Sequence, residues 1–461
     1  MRLKGEKMSK SINRRDFIKT SVLAGAGTLL VPKVVLGHPA VREKVRLGFI
    51  GTGMRGQWVL WLAAKRPDVE ITSICDIDKG MIASALKILK DSGKPEPRVY
   101  NNGDEDFRNM VANEDLDGVY IATPWEWHHP MSMAAMNNGI NVGTEVPAAL
   151  TVNDCWDLVN TSEQTGKFCM IMENVCYRRD VIAVLNMVRQ GLFGELLHLQ
   201  CGYQHDLRHV KFNDGKQPYG GGVEFGEKGF SEAKWRTLHS VNRNGDLYPT
   251  HGVGPVSTML NINRGNRFVH LTSTATKSRG LHKYIVDQAG TDHPNSKVKF
   301  KLGDIVTTVI KCANGETVVV SYDTNSPRPY SLNFRVQGTD GLWMVDNDSI
   351  YIEGVSPEPH RWESAQPFLE KYDHPLWKRF EDQAAGSGHG GMDFFIVRAY
   401  IESLKRNVLP PIDVYDAVSM SVISPLSEQS IANRSSLVEF PDFTRGKWKT
   451  NARIFGLNDE F

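Results

Sequence analysis

The sequence predicts an α/β protein: a doubly wound parallel sheet, followed after about residue 171 by an α+β domain on an open, mostly antiparallel sheet. Three observations predict this. A buried apolar run at residues 44–50 leads straight into Gly51-Thr52-Gly53-Met54-Arg55-Gly56, with a helical pattern behind it. Strand-like and helix-like segments then alternate to residue 143, as parallel sheets built from βαβ units require. Beyond residue 171 the pattern changes to short strands parted by glycine, proline and Asn-Gly signals such as Ala313-Asn314-Gly315.

The 461 residues include 54 Lys and Arg against 53 Asp and Glu, a formal net charge of +1. Hydrophobic residues make up 41% and charged residues 23%, which excludes a disordered, collagenous or coiled-coil chain and suits two or three domains. Near-neutral charge gives no electrostatic case for nucleic acid or an anionic membrane as partner. The six cysteines (Cys75, Cys155, Cys169, Cys176, Cys201 and Cys312) are scattered and form no CxxC. That spacing supports neither a disulfide scaffold nor a redox motif nor a zinc site, so no metal is expected.

Residues 1–40 read as an address. Arg14-Arg15 stands just before an apolar run at 21–36 that is too short and too rich in Gly and Ala to span a bilayer. The arrangement resembles a twin-arginine translocation signal, with cleavage near Gly37. It implies export of a folded, cofactor-loaded protein to the periplasm or another extracytoplasmic space. No cysteine lies near that point, so no stable membrane anchor is expected.

Residues 41–170 are expected to form the dinucleotide-binding domain. In a Rossmann unit Gly51, Gly53 and Gly56 permit a tight turn and close approach of backbone to pyrophosphate. A second strand at 69–75 delivers Asp76 twenty positions after Gly56, where an acidic residue accepts ribose hydroxyls and disfavours a 2′-phosphate. NAD is therefore favoured over NADP. Helices are expected at 79–92, 104–112 and 128–138, and further strands at 118–122 and 140–143. Ligands bind beyond the carboxyl ends of such strands, where Thr123, Trp125, Trp127, His128 and Glu145 fall.

Residues 171–461 are expected to form the substrate domain. Helices are predicted at 177–190, 394–404 and 414–433. Strands are predicted at 194–206, 267–274, 298–301, 304–311, 317–322, 332–337 and 341–346. His205 and His209 are spaced i, i+4, but their context is strand end and loop, and no third metal ligand is evident.

The glycine turn, Ala122-Thr123-Pro124 and Glu145-Val146-Pro147 together resemble the sugar oxidoreductase superfamily of glucose–fructose oxidoreductase and inositol dehydrogenase. Most members carry a catalytic lysine between that Glu and Pro. Val146 stands there instead, which argues against an ordinary alcohol dehydrogenase. Gly53-Met54-Arg55-Gly56-Gln57, Trp125-Glu126-Trp127-His128, Glu173-Asn174-Val175-Cys176-Tyr177-Arg178-Arg179 and Tyr248-Pro249-Thr250-His251-Gly252 are similar to one branch. That branch is glycoside hydrolase family 109, the NAD-dependent α-N-acetylgalactosaminidases, and the likeness spans about residues 10–460.

The resemblance implies a glycosidase that uses recycled NAD: oxidation at sugar C3, elimination across C1–C2, addition of water, then reduction. It implies that Met54 and Arg55 line the phosphates. Trp125, Glu126, Trp127 and His128 border the nicotinamide with Glu145 and Val146, and Asn174 completes that border. Tyr203, Arg236, Tyr248 and Tyr330 become sugar contacts, together with Pro249, Thr250 and His251. His251 is expected as principal acid/base, with Tyr203 or Tyr177 in support. The partner is then a glycan, and homo-oligomerisation is left open. Two alternatives stand beside this reading: an exported sugar oxidoreductase, and a non-catalytic NAD-loaded carbohydrate-binding protein.

Overall fold

The computed structural model describes residues 41–461; the export signal read in residues 1–40 lies outside the described residues. The first sheet has six parallel strands: β1 (Val45–Ile50), β2 (Val69–Cys75), β3 (Arg98–Tyr100), β4 (Gly118–Ile121), β5 (Asn141–Thr144) and β6 (Cys169–Ile171). Their spatial order is β3-β2-β1-β4-β5-β6. The order reverses between β1 and β4, and the crevice at that reversal is where such folds bind ligands. Helices α1 (Met54–Ala64), α2 (Lys79–Asp91), α3 (Phe107–Asn113), α4 (Trp125–Asn137) and α5 (Val152–Thr165) connect the strands. Val45, Leu47, Phe49 and Ile50 are fully buried, as a strand covered on both faces requires.

A short 3-10 turn (Asn174–Tyr177) and helix α6 (Arg179–Arg189) lead into the second sheet. Among the described residues that sheet has nine strands: β7 (Leu196–Gln204), β8 (Phe268–Ala275), β9 (Ile305–Cys312), β10 (Thr317–Asp323), β11 (Arg335–Gly338), β12 (Gly341–Met344), β13 (Ser349–Ile352), β14 (Glu363–Ser364) and β15 (Val438–Glu439). Every neighbouring pair is antiparallel except β7 and β10. The chain is therefore α/β followed by α+β.

Two helices of the second half fix the site. Helix α7 (Arg236–Asn242) precedes helix α8 (Thr250–Met259), which lies directly on β7. A Cβ at Gly252 would come within 2.6 Å of the Gly202 amide nitrogen, so only glycine permits that approach. Helix α9 (Met392–Arg406) crosses back onto the parallel sheet, where the Tyr400 hydroxyl donates to the Val119 carbonyl at 2.7 Å. The carboxyl ends of β4 and β5, the start of α8 and the start of α9 thus converge.

Several expected elements differ. Residues 298–301 are not a strand: Lys301 and Leu302 donate their amides to the ends of α7, and Phe300 packs with Phe212 and Phe225 in a small satellite core. Val298 and Phe300 alternate with Lys299 and Lys301, and Phe300 fills a pocket while the segment joins no ladder. The helix expected at 414–433 divides into α10 (Val414–Ser421) and α11 (Ile423–Ala432), with Pro425 in the first turn of α11. Helix α4 starts at Trp125, three residues before the expected position. Among the described residues no helix is long and apolar enough to cross a membrane.

Candidate active site

The glycine turn prepares the cofactor end. Gly51 sits at φ 88°, and a Cβ on Gly56 would collide with the Gly51 carbonyl oxygen. Gly53 caps α1 without a side-chain hydrogen bond, and a Cβ there would meet nothing within 4 Å. The first amides of α1 therefore face open space at the positive end of a helix, which fits a pyrophosphate. Asp76 accepts from the Thr52 amide at 2.6 Å and its hydroxyl at 3.0 Å, and from the Asp78 amide at 2.8 Å. These bonds aim the carboxylate across the turn and leave acceptor capacity for a ribose. Ile77, 66% exposed, offers an apolar face beside it for a base. The Met54 sulfur meets the Ser231 and Tyr219 hydroxyls at 3.7 and 4.0 Å, so a loop of the second domain reaches over the turn.

Arg55 does something other than line phosphates. Its guanidinium donates to Glu145 at 2.7 Å and to Asp393 at 2.9 Å, joining the glycine turn to the ends of β5 and α9. Fully buried Asp393 also accepts from Asn174 at 2.7 Å and bonds the His389 Nδ1 at 2.7 Å. Burial raises the Asp393 carboxyl, but His389 and Arg55 outweigh it and hold the group well below the usual carboxylate range. Burial likewise opposes the Arg55 charge, and Glu145, Tyr120 and Asp393 outweigh it. The Tyr120 hydroxyl donates to Glu145 as well. Asn174 is thus turned toward Asp393 and forms part of this network.

On the second domain's side, His251 lies in the first turn of α8, and its Nδ1 is 2.8 and 2.9 Å from the two carboxylate oxygens of Glu173. Glu173 is fully buried, and a Cβ at Gly254 would come within 2.8 Å of its Cγ, so the glycine face of α8 makes room for it. A carboxylate on Nδ1 selects the tautomer with Nδ1–H, leaving Nε2 as acceptor. Nε2 has no hydrogen-bond partner among the described residues, and the side chain is 17% exposed.

Aromatic rings wall this nitrogen. Tyr248 and Tyr203 stand 5.0 and 5.3 Å from the His251 ring, and Trp125 stacks on Tyr248 at 5.5 Å. Arg236 lies over both Trp125 (4.9 Å) and Tyr248 (5.2 Å), with Glu232 as its ion partner. The Tyr203 hydroxyl is 3.2 Å from His205 Nδ1, and Tyr330 closes the row 5.0 Å from His205. Burial pushes the Tyr203 hydroxyl well above the usual tyrosine value, more than Arg236 offsets, so it stays protonated.

Several expected contacts lie elsewhere. Tyr177 is fully buried in the core, stacked on Phe395 and edge-on to Phe455, with its hydroxyl unpartnered; it does not reach the cleft. His128 is also buried, its ring nitrogens set on the carbonyls of Pro147 and Thr123, so it ties two strand-end loops together. Trp127 packs edge-on to Phe107, and Glu126 faces His239. Pro249 and Thr250 are buried where α8 begins and set the angle of Tyr248 and His251. Val146 is buried, joined to Pro147 by a cis peptide. Sequence reasoning missed Asp393 and His389, which lie i, i+4 behind a Gly-rich loop, and gave no role to Glu173 inside a motif it quoted. His205 was weighed only with His209, yet the two rings serve separate tyrosines, Tyr203 and Tyr219.

Comparison with known proteins agrees with both halves. Residues 45–173 match the family description "Oxidoreductase family, NAD-binding Rossmann fold", and residues 177–450 match "Glycosyl hydrolase 109, C-terminal domain". A glycosyl hydrolase family 109 protein of Stenotrophomonas maltophilia (strain K279a) is 54% identical, covering 98% of this chain and 100% of the relative. An α-N-acetylgalactosaminidase of Tannerella forsythia is 51% identical over 96% of this chain and 99% of its own length. Among solved structures, levoglucosan dehydrogenase in complex with NADH and levoglucosan superposes with a TM-score of 0.60 at 18% identity, covering 87% of this chain and 100% of that one. The last likeness is one of fold. With a cofactor turn that fits NAD and a second domain of the hydrolase family, the chain belongs to glycosyl hydrolase family 109, glycoside hydrolases built on an NAD-binding Rossmann domain.

Proposed function

We propose that the chain is an exported α-N-acetylgalactosaminidase that cleaves terminal α-N-acetylgalactosamine through a closed redox cycle at sugar C3 and C2. The observation that carries this reading is the Glu173–His251 pair, with Nε2 open to an aromatic-walled cleft beside the cofactor turn. Relatives named α-N-acetylgalactosaminidase, 51% identical in Tannerella forsythia and 40% identical in Shewanella oneidensis, support the substrate.

Direct hydrolysis uses two carboxyl groups flanking the glycosidic oxygen, one of them free to donate a proton. The carboxylates around this cleft are each committed: Glu173 to His251, Glu145 to Arg55 and Tyr120, Asp393 to Arg55, Asn174 and His389, Glu232 to Arg236. That commitment favours a histidine-centred route. NAD, when bound, supplies a reversible hydride acceptor for C3. His251 Nε2 holds and moves the protons. With C3 at the ketone level, the C2 proton passes to Nε2, the C2–H electron pair becomes a C1=C2 bond, and the C1 substituent leaves. Water then adds at C1, its hydroxyl taking the anomeric position and its other proton going to the departed oxygen. The Nε2 proton returns to C2, and hydride returns to C3 with a proton to the C3 oxygen. Tyr203, kept protonated, donates a hydrogen bond to a sugar oxygen, and Arg236 holds the acetamido carbonyl or a ring hydroxyl.

The test is turnover of an aryl α-N-acetylgalactosaminide in D₂O by protein purified without added NAD. The reading expects aryl release with deuterium at C2 of the liberated sugar. Accumulation of reduced cofactor and an oxidised sugar, without aryl release, would overturn it in favour of a dehydrogenase. Export is tested separately: changing Arg14 and Arg15 to lysine is expected to hold the protein in the cytoplasm.

A further inference from the structure

His128 and His129 are neighbours on α4 and face different ways. His128 is held by the carbonyls of Pro147 and Thr123, whereas His129 faces α5. There it meets two carboxylates one helical turn apart. Its Nδ1 is 3.7 Å from Asp154 Oδ1, and its Nε2 is 3.5 Å from Asp157 Oδ2. One ligand atom from each of the three side chains lies within 4.8 Å of the other two. The cycle proposed above uses none of them.

Three features separate this cluster from a surface ion pair. Both separations are too long for hydrogen bonds, since bonds between charged nitrogen and oxygen close to about 2.7–2.9 Å. His251 and Glu173 close to 2.8 Å in this same molecule. The longer separations match two ligands sharing one small cation: bonds of about 2.0–2.1 Å at a near-tetrahedral angle put ligand atoms about 3.4 Å apart. The second feature is His129 Nε2, which is buried and makes no hydrogen bond among the described residues. A polar atom out of water without a partner is costly. Thirdly, neither carboxylate pairs with a Lys or Arg among the described residues, so the imidazole is their one neighbouring cation, and only when protonated. Asp154 is already aimed. Its Oδ2 accepts from the Thr151 amide at 3.2 Å, and the Thr151 hydroxyl accepts from the Asp154 amide at 3.1 Å, which leaves Oδ1 toward His129.

We infer that His129, Asp154 and Asp157 bind one divalent cation of the zinc class between α4 and α5. One imidazole with two carboxylates suits Zn²⁺, whereas Mg²⁺ and Ca²⁺ take oxygen ligands. The first turn of α5 is the positive end of a helix, and two full negative charges outweigh that partial one. The cation ties α5 to α4, whose first turn carries Trp125, the ring stacked on Tyr248. Its role is to brace that wall of the cleft, outside the chemistry.

The test is equilibrium dialysis of the NAD-loaded protein, freed of metal by a chelator, against Zn²⁺ in the presence of excess Mg²⁺. The wild type is expected to hold one equivalent of zinc that Mg²⁺ does not displace, and its melting temperature should rise as zinc is added. His129→Ala and Asp157→Asn should each weaken that equivalent by about 100-fold or more, since even partners outside a ligand set are worth about 10- to 100-fold. Asp157 is exposed, so its variant keeps the test valid if His129→Ala folds poorly. Turnover of the aryl glycoside by the wild type is expected to be equal with and without zinc, and a zinc-dependent kcat would overturn the bracing role. Less than one equivalent bound by the wild type, or displacement by Mg²⁺, would overturn the site. Zinc uptake unchanged in both variants would place the binding at other histidines and overturn it equally.

Discussion

The two ends of the proposed cleft are built to hold ligands by different physics. At the cofactor end the backbone would do most of the binding: the uncapped start of α1, a turn only glycine can make, and one carboxylate, Asp76, aimed by three hydrogen bonds. At the proposed sugar end side chains would do it, with three rings (Trp125, Tyr248 and Tyr203) and a cation around one imidazole whose orientation depends on one buried carboxylate. Backbone sites tolerate substitution of most side chains near them. A site built on one oriented histidine does not. The Arg55–Asp393 network lies between the two ends and binds them into one unit.

That contrast sets the order of expected effects. Replacing His251 with Ala should cost about 10³- to 10⁴-fold in kcat, the range of a principal acid/base, with little change in NAD content. Glu173→Gln should cost about 10²-fold, because an amide can donate to Nδ1 and so favours the wrong imidazole tautomer. KM should move little in Glu173→Gln, which separates orientation from sugar binding. Asp76→Asn should leave kcat of the loaded enzyme near the parent value and weaken NAD retention about tenfold, measured as cofactor lost on dialysis. Comparable kcat losses in Asp76→Asn and His251→Ala would break the comparison.

The smallest effects concern stability, and here two buried carboxylates, Asp393 between the ends and Asp246 beside Tyr248, have opposite signs. Asp393 has a depressed value, so its contribution is present above the unfolded carboxylate value of about 4 and is lost as pH falls through the lower folded value. Asp246 sits two residues before Tyr248, fully buried with one carboxylate oxygen unpartnered, and burial pushes it up to about 7. Its folded value is raised, so its contribution is complete below about pH 4 and is lost as pH rises through about 7. Thermal melts from pH 3 to 8 should therefore show Asp393→Asn flattening the acid side and Asp246→Asn flattening the decline between pH 5 and 8. Parallel curves for all three proteins would remove both assignments.

How much of this was legible in the sequence follows the same division. The cofactor end is local: strand, turn, helix and Asp76 occupy residues 45–76, and a glycine spacing has few physical meanings once a strand precedes it and an acid follows. The sugar end is assembled from β7, α7, α8 and the segment before α6, so its members were visible as motifs but not as contacts. Tyr177 stood in such a motif and points into the core, because a 3-10 turn carries no periodicity that says which face is buried. Asp393 is separated from Arg55 by more than 300 positions, and only the return of α9 onto the first sheet makes them neighbours. Residues 298–301 had the composition of a strand and lacked a free ladder to join.

The central claim is that His251 Nε2, aimed by Glu173, moves the protons of the cycle. Chemical rescue tests it most directly: His251→Ala, loaded with NAD, is offered the aryl glycoside in D₂O with and without added imidazole. The account predicts negligible aryl release alone, and partial recovery with imidazole accompanied by deuterium at C2. Full turnover by His251→Ala without imidazole would contradict it.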